Sequence, residues 1–287
     1  MGARAGVAGF LLLALAAPAL GQRSGGFGVV PTTILEDGAA DLFGVSGVPP
    51  SVLELVRGRT AMERRAGIDR LESLDPEAAL PYITPRLADP EPTVRARAAQ
   101  ALGRLAALAA AGPLIDALGD GDSGVRAAAA EALGGFAVLP EGQAPRAGQA
   151  LGRCLGDGQF AVRLAALRAT ERLLESGALG AAEARGLLGA VSLRVDDENV
   201  GVRRAAVAVL GRVPEDGALR ARAVPPLLSR LSDAARDVRA DALVALGRLG
   251  ARAAVPAVLR ALGDPIEDVR QQAALCLGRL GPPAALP

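Results

Sequence analysis

Apolar residues recur along this chain at helical spacing rather than in alternation. Val94, Ala98, Leu102 and Leu105 form one stripe, and Val238, Ala242, Leu246 and Leu249 another. Steps of three and four residues put such positions on one face of a helix, turned toward a core. Between the stripes lie Asp89-Pro90, Gly119-Asp120-Gly121 and Asp264-Pro265, which a continuous helix does not readily accept. Shorter apolar runs precede these breaks, among them Pro113-Leu114-Ile115-Asp116-Ala117-Leu118 and Pro225-Pro226-Leu227-Leu228. The pattern predicts helix pairs, a shorter first helix and a second carrying the longer stripe, joined by tight turns.

The pairs repeat. Aligning the chain on an Asp followed six residues later by an Arg gives six copies: Asp89 with Arg95, Asp120 with Arg126, Asp157 with Arg163, Asp197 with Arg203, Asp233 with Arg239, and Asp264 with Arg270. A valine precedes every arginine: Val94, Val125, Val162, Val202, Val238 and Val269. Seven positions beyond the arginine stand Leu102, Leu133, Thr170, Leu210, Leu246 and Leu277, followed by Gly103, Gly134, Glu171, Gly211, Gly247 and Gly278. The copies are 31 to 40 residues apart, a period typical of solenoids built from one supersecondary unit. A residue type that recurs in every copy is explained by structure more simply than by catalysis, so the Asp–Arg pairs are read as a ladder. Thr170 and Glu171 break the Leu-Gly pattern, and their repeat is expected to be the least regular.

Finer expectations follow. Pro81, Pro113, Pro225 and Pro256 are placed at the starts of first helices, where a missing amide costs little. Glu91, Ser123, Glu198 and Glu267 are placed near the free amides of second helices. Gly103, Gly247 and Gly278 precede Arg-Leu and are read as points of close helix approach. Segment 136–148 reads as a long loop before a helix around Ala150 to Leu155, and 176–189 and 213–221 as further interruptions. A degenerate copy extends back to Pro49, because Ala66 to Leu71 echoes Gln100 to Leu105; in that register Ala61 falls where the arginine belongs.

Pro-Leu-x-x-Leu, then Asp-x-x-x-Val-Arg, then Ala-Leu-Gly-x-Leu resembles the HEAT-like repeats of phycobilin-lyase-related proteins and bacterial scaffold proteins, over roughly Ala78 to Leu280. The resemblance implies an all-α, alpha-alpha superhelix of about six or seven helix pairs, first helices convex and second helices concave. It also implies that the turn Asp and the helix Arg tie adjacent repeats together. The repeat domain is assigned to 49–287, and 22–48 to a non-repeat segment or linker.

Composition narrows the chemistry. There is no His, which removes His-based acid–base catalysis and His-containing metal sites. Asp196-Asp197-Glu198 is the densest acidic cluster, and a solvated turn explains it; no metal or cofactor is assigned. A net charge of +1 leaves no large basic field for nucleic acid. Cys154 and Cys276 lie several repeats apart in Leu-rich helical runs and read as small buried hydrophobes. Arg4 precedes an apolar stretch from Ala5 to Leu20, with small-residue cleavage sites after Ala19 and Gly21. This reads as a secretory signal over 1–21, giving a periplasmic or secreted mature chain that is not inserted in a membrane. The expected function is a non-enzymatic interaction scaffold for a protein or peptide, contacted by Arg97, Arg104, Glu131, Arg168, Arg204, Asp241 and Arg248 on successive second helices. The alternative is a chromophore-handling or other enzyme with its site in the same groove.

Overall fold

Each repeat of the chain becomes two helices. The computed structural model describes residues 47–281, so the leader expected over 1–21 and nearly all of the segment 22–48 lie outside the described residues. Among the described residues are fourteen α-helices in seven pairs. They are α1 (Pro50–Val56) with α2 (Ala61–Leu71), α3 (Pro76–Ile83) with α4 (Pro92–Leu105), α5 (Ala111–Ala117) with α6 (Ser123–Leu133), and α7 (Gln143–Cys154) with α8 (Phe160–Glu175). The series continues with α9 (Ala181–Arg194) and α10 (Val200–Leu210), α11 (Gly217–Ser229) and α12 (Arg236–Leu249), and α13 (Val255–Ala261) and α14 (Glu267–Leu280). The result is the expected all-α solenoid.

Burial explains the stripe. All six repeat valines are at most 1 % exposed, and Leu102, Leu133, Leu210 and Leu246 are fully buried. The core is assembled from Leu, Val and Ala rather than aromatics, so second helices can approach one another closely. A Cβ added at Gly103 would lie 2.6 Å from Ala132 Cα, and one at Gly134 would lie 2.8 Å from Ala169 Cα. At Gly211 it would meet Ala245 at 2.8 Å. Second helices therefore pack in direct succession, more tightly than first helices do. The more closely spaced layer lies on the inside of a curved stack, which makes the second helices its inner, concave face.

The ladder joins neighbouring repeats. Arg95 donates from Nε and Nη2 to the Asp120 carboxylate at 2.7 and 2.8 Å, and from Nη1 to the Asp89 carbonyl at 2.8 Å. The ion pair thus crosses to the next repeat, while the bond within a repeat is to main chain. The arrangement recurs as Arg126–Asp157, Arg163–Asp197, Arg203–Asp233 and Arg239–Asp264. Each rung Asp also accepts the backbone amide two residues on, as Asp197 does from Asn199 at 3.0 Å. Burial of Asp197 disfavours its charge, but the Arg163 guanidinium and that amide outweigh it and hold the carboxyl below the ordinary aspartate range.

The ladder starts one repeat before the six copies. Arg64 donates to Asp89 at 2.7 and 2.8 Å and to the Gly58 and Arg59 carbonyls. The register that put Ala61 at the arginine position was therefore three residues off. Leu71, rather than Ile68, is the equivalent of Leu102: both leucines follow the rung arginine by seven residues and both are fully buried. What the first copy lacks is the Asp, replaced by Gly58, for which no preceding described repeat offers an arginine. At the other end Arg270 keeps only its bonds to the Asp264 and Pro265 carbonyls.

Four local expectations are corrected. Only Pro113 and Pro256 sit in first turns; Pro81, Pro225 and Pro226 lie inside α3 and α11. They are tolerated because the carbonyls they leave unbonded belong to exposed residues Glu77, Ala221 and Arg222, where water substitutes. The amides at second-helix starts are capped by Asp122 and Asn199 side chains and by the rung aspartates rather than by Glu91, Ser123, Glu198 or Glu267. The loop before α7 ends at Gly142, whose φ of 74° only glycine adopts easily, so the helix begins at Gln143 rather than near Ala150. Close approach holds at Gly103 and Gly247, whereas Gly278 faces open space because no described repeat follows it.

Candidate functional site

The break in the repeat at Thr170-Glu171 lies beside a groove in the inner face. Thr170 is fully buried and satisfies its hydroxyl by donating to the Ala166 carbonyl at 2.8 Å. Glu171 occupies the position at which Gly103 and Gly134 bring neighbouring helices into contact. Helices α8 and α10 pack less closely than α4 and α6 or α6 and α8, as do α10 and α12, which keep the glycine at Gly211, so the side chain at Glu171 does not by itself set the spacing. The rung of this repeat is nonetheless intact and the most buried of the ladder, with 7 % and 3 % of the Arg163 and Asp197 side chains exposed. The repeat is therefore not the least regular, since α10 and α12 pack no more closely than α8 and α10 and the rung is untouched.

A groove of about 430 Å³ runs across α8, α10 and α12 at this point. Its floor is small and apolar: Leu164, Gly201, Ala205, Ala208, Val244 and Ala245. Its charged walls are Arg168, Glu171, Arg204, Arg212, Asp241 and Arg248. Arg204 donates to Asp241 at 2.7 Å, a bond that raises the arginine's pKa further and fixes its charge, and lies 3.8 Å from Asp237. Arg212 donates to Glu171 at 3.2 Å and also bonds Glu175. Arg168 and Arg248 are exposed and meet no carboxylate among the described residues.

Four of the residues expected to bind a partner, Arg168, Arg204, Asp241 and Arg248, are therefore brought together in one groove. Arg97 and Arg104 are not among them. They converge on Glu72 near the first repeats, where Arg97 also bonds Asp69, so their charges are already neutralised within the fold. Glu131 is exposed on α6, between these two groups. Sequence reasoning missed Arg212 and Glu171 as groove residues. The departure of Glu171 from the glycine pattern was the signal for both, because a carboxylate at that inner position calls for a cation on the next helix.

A larger groove of about 680 Å³ lies on the outer layer between α7 and α9, opened by Gly148, Gly152 and Gly186. Its walls include Leu187 and Ala190, with Arg153 and Glu183 of opposite sign. Size alone does not make it the better site. The inner groove repeats equivalent positions over three successive helices, which suits an extended ligand.

Among the described residues no group of three or more His, Cys, Asp or Glu is placed to hold a metal, and no helix is long and apolar enough to cross a membrane. Cys154 and Cys276 are buried free thiols; burial pushes Cys154 up to about 11, which keeps it protonated and unreactive.

Solved structures of similar fold include designed armadillo repeat proteins and engineered proteins. A designed armadillo repeat protein aligns with a TM-score of 0.55 at 22 % identity, over 70 % of this chain and 100 % of its own. An engineered protein aligns with a TM-score of 0.60 at 17 % identity, over 86 % of this chain and 77 % of its own. A designed armadillo repeat protein in complex with the peptide (KR)4 aligns with a TM-score of 0.50 at 20 % identity, over 76 % and 99 %. At these identities the likeness is one of fold. No curated protein matches the chain. The family model for HEAT repeats matches residues 50–134, 80–171 and 224–287, and does not single out the phycobilin-lyase-type subset. With the helix pairs, the ladder and this match in agreement, the chain belongs to the HEAT-repeat family.

Proposed function

We propose that this protein is an interaction scaffold that receives an extended segment of a partner protein along the inner face of α8, α10 and α12. The observation that carries the reading is the groove itself: an apolar floor between charged walls, built from equivalent positions of three successive second helices. Such a surface offers modest apolar area together with directional, charge-assisted hydrogen bonds, the combination that holds an extended peptide. That a designed armadillo protein of the same fold carries a bound (KR)4 peptide supports the geometry, not the choice of peptide. The apolar leader over 1–21 supports export of the mature chain to the periplasm or beyond the cell.

The test is site-specific photo-crosslinking of the mature protein in its native exported fraction. A benzophenone side chain is placed at Val244 on the groove floor, and in a second protein at Ala182 beside the outer groove. A discrete protein adduct from position 244 and none from position 182 supports the scaffold. An adduct from position 182 alone moves the site to the outer layer. A chromophore retained by the purified protein, or turnover of a small molecule lost with groove substitutions, assigns an enzyme instead.

A further inference from the structure

We propose that the segment received by the inner groove is acidic, held through carboxylates that reach Arg168 and Arg248, two repeats apart. This rests on the scaffold reading of the groove and adds the chemistry of the partner.

The fold has already paired part of the charge in the groove walls. Of the four arginines in the groove walls, Arg204 and Arg212 are engaged by Asp241 and by Glu171 with Glu175. Arg168 and Arg248 are engaged by none of the described carboxylates, so the groove presents two guanidinium groups with unused hydrogen-bond donors.

Arginine also recurs in register with the repeat. Nine residues beyond the rung arginine, α8, α10, α12 and α14 carry Arg172, Arg212, Arg248 and Arg279. Of these only Arg212 meets a described carboxylate. The Arg279 stem passes over Gly247, where a Cβ would lie 3.3 Å from its Cδ, so the row continues without a gap from α12 to α14.

Arginines in the last turn of a helix are favoured by the helix dipole alone, by about 0.3–1 kcal/mol. That accounts for a base at the ends of α12 and α14. It does not account for Arg168, which lies in the middle of α8, where the dipole contributes nothing. Arg168 stands instead over the groove floor at Ala205 and Ala208.

Spacing then defines the ligand. Packed helices lie about 8–10 Å apart, and an extended chain advances about 3.3 Å per residue. A carboxylate at every third residue of the ligand therefore falls on successive repeats, and those two repeats apart meet Arg168 on α8 and Arg248 on α12, each a planar guanidinium able to donate two parallel bonds. A basic segment, of the kind bound by the designed armadillo protein, meets the wrong sign here.

The experiment uses the full chain and two labelled twelve-residue peptides, (Glu-Gly-Ser)4 and (Lys-Gly-Ser)4, read by fluorescence anisotropy at low and physiological salt. Wild type is expected to bind the glutamate peptide in a salt-dependent way and the lysine peptide at least tenfold more weakly. R168Q/R248Q should weaken glutamate-peptide binding at least tenfold with an unchanged helical spectrum, and R222Q on the exposed side of α11 should leave it unaltered. Equal or tighter binding of the lysine peptide overturns the proposal. So does a glutamate peptide that binds R168Q/R248Q as tightly as wild type. Tighter binding of a twelve-residue single-stranded oligonucleotide than of the glutamate peptide overturns it in favour of a phosphate backbone. An adduct at position 244 without glutamate-peptide binding leaves the scaffold standing and rejects its acidic partner; loss of the adduct itself rejects the scaffold.

Discussion

Replacing Asp197 by Ala tests whether the ladder holds the repeats together. Its carboxylate accepts two bonds from Arg163, at 2.7 and 2.9 Å, and one from the Asn199 amide at 3.0 Å. Only 7 % and 3 % of the two side chains are exposed, so water cannot readily replace the lost partner. The substitution leaves Arg163 charged, with only its Nη1 bonds to the Asp157 and Gly158 carbonyls and a 3.5 Å approach to the exposed Glu198. Removing one member of a buried ion pair costs about 3–5 kcal/mol, because the charge left behind is uncompensated. The bonds that Arg163 retains put the expectation at the low end, about 3 kcal/mol, a fall in Tm of roughly 6–12 °C for a chain of this size. Asp241→Ala is the control. It breaks the Arg204–Asp241 pair, in which 47 % and 35 % of the side chains are exposed, and screening limits its cost to about 0–1 kcal/mol. Both variants are followed by circular dichroism in urea and on heating. An Asp197→Ala loss within about 1 kcal/mol of the control, the usual ceiling for an exposed pair, would refute the ladder as a source of stability.

Two further outcomes follow from the same packing and charge. Gly103→Ala places a Cβ 2.6 Å from Ala132 Cα and should cost about 1–3 kcal/mol, whereas Gly278→Ala meets open space and should stabilise α14 by about 0.5–1 kcal/mol; urea midpoints moving in the same direction would contradict the close-packed inner layer. The rung aspartates Asp89, Asp120, Asp157, Asp197 and Asp233 titrate below their ordinary value because, although burial opposes their charge, an arginine and a backbone amide together outweigh it; at Asp264 the Arg239 bond is itself the largest influence. Their stabilisation is therefore complete above the unfolded pKa of about 3.9 and is lost as pH falls through the lower native values. Thermal scans should show a plateau down to about pH 5 and a steep fall in Tm below about pH 4; a Tm unchanged at about pH 3 would rule the linkage out.

The amino-acid sequence by itself determined the repeat, its helix pairs and the residues of the ladder. Those features are local and periodic: Val94 and its five equivalents fall on one helical face, and six copies of a turn Asp and a helix Arg stand out against a variable background. It also marked the departure from the Leu-Gly pattern at Thr170 and Glu171. It did not determine which Asp each Arg takes. Arg95 lies six residues from Asp89 but gives its ion pair to Asp120, because stacking brings the next turn against its guanidinium, while the Asp89 carboxylate is taken by Arg64 and offers Arg95 only the carbonyl. The first rung was misread for the same reason: Arg64 is recognisable only by the Asp89 it reaches across the repeat boundary, since Gly58 stands where its own Asp would be. The groove was decided wholly by tertiary packing. Arg97 and Arg168 look alike on their helices, yet Arg97 is neutralised by Asp69 and Glu72 of the preceding repeat while Arg168 meets no described carboxylate. Helical phase tells which face a side chain is on, but the charge that face presents depends on neighbours about thirty residues away, which only the stacking of the repeats brings together.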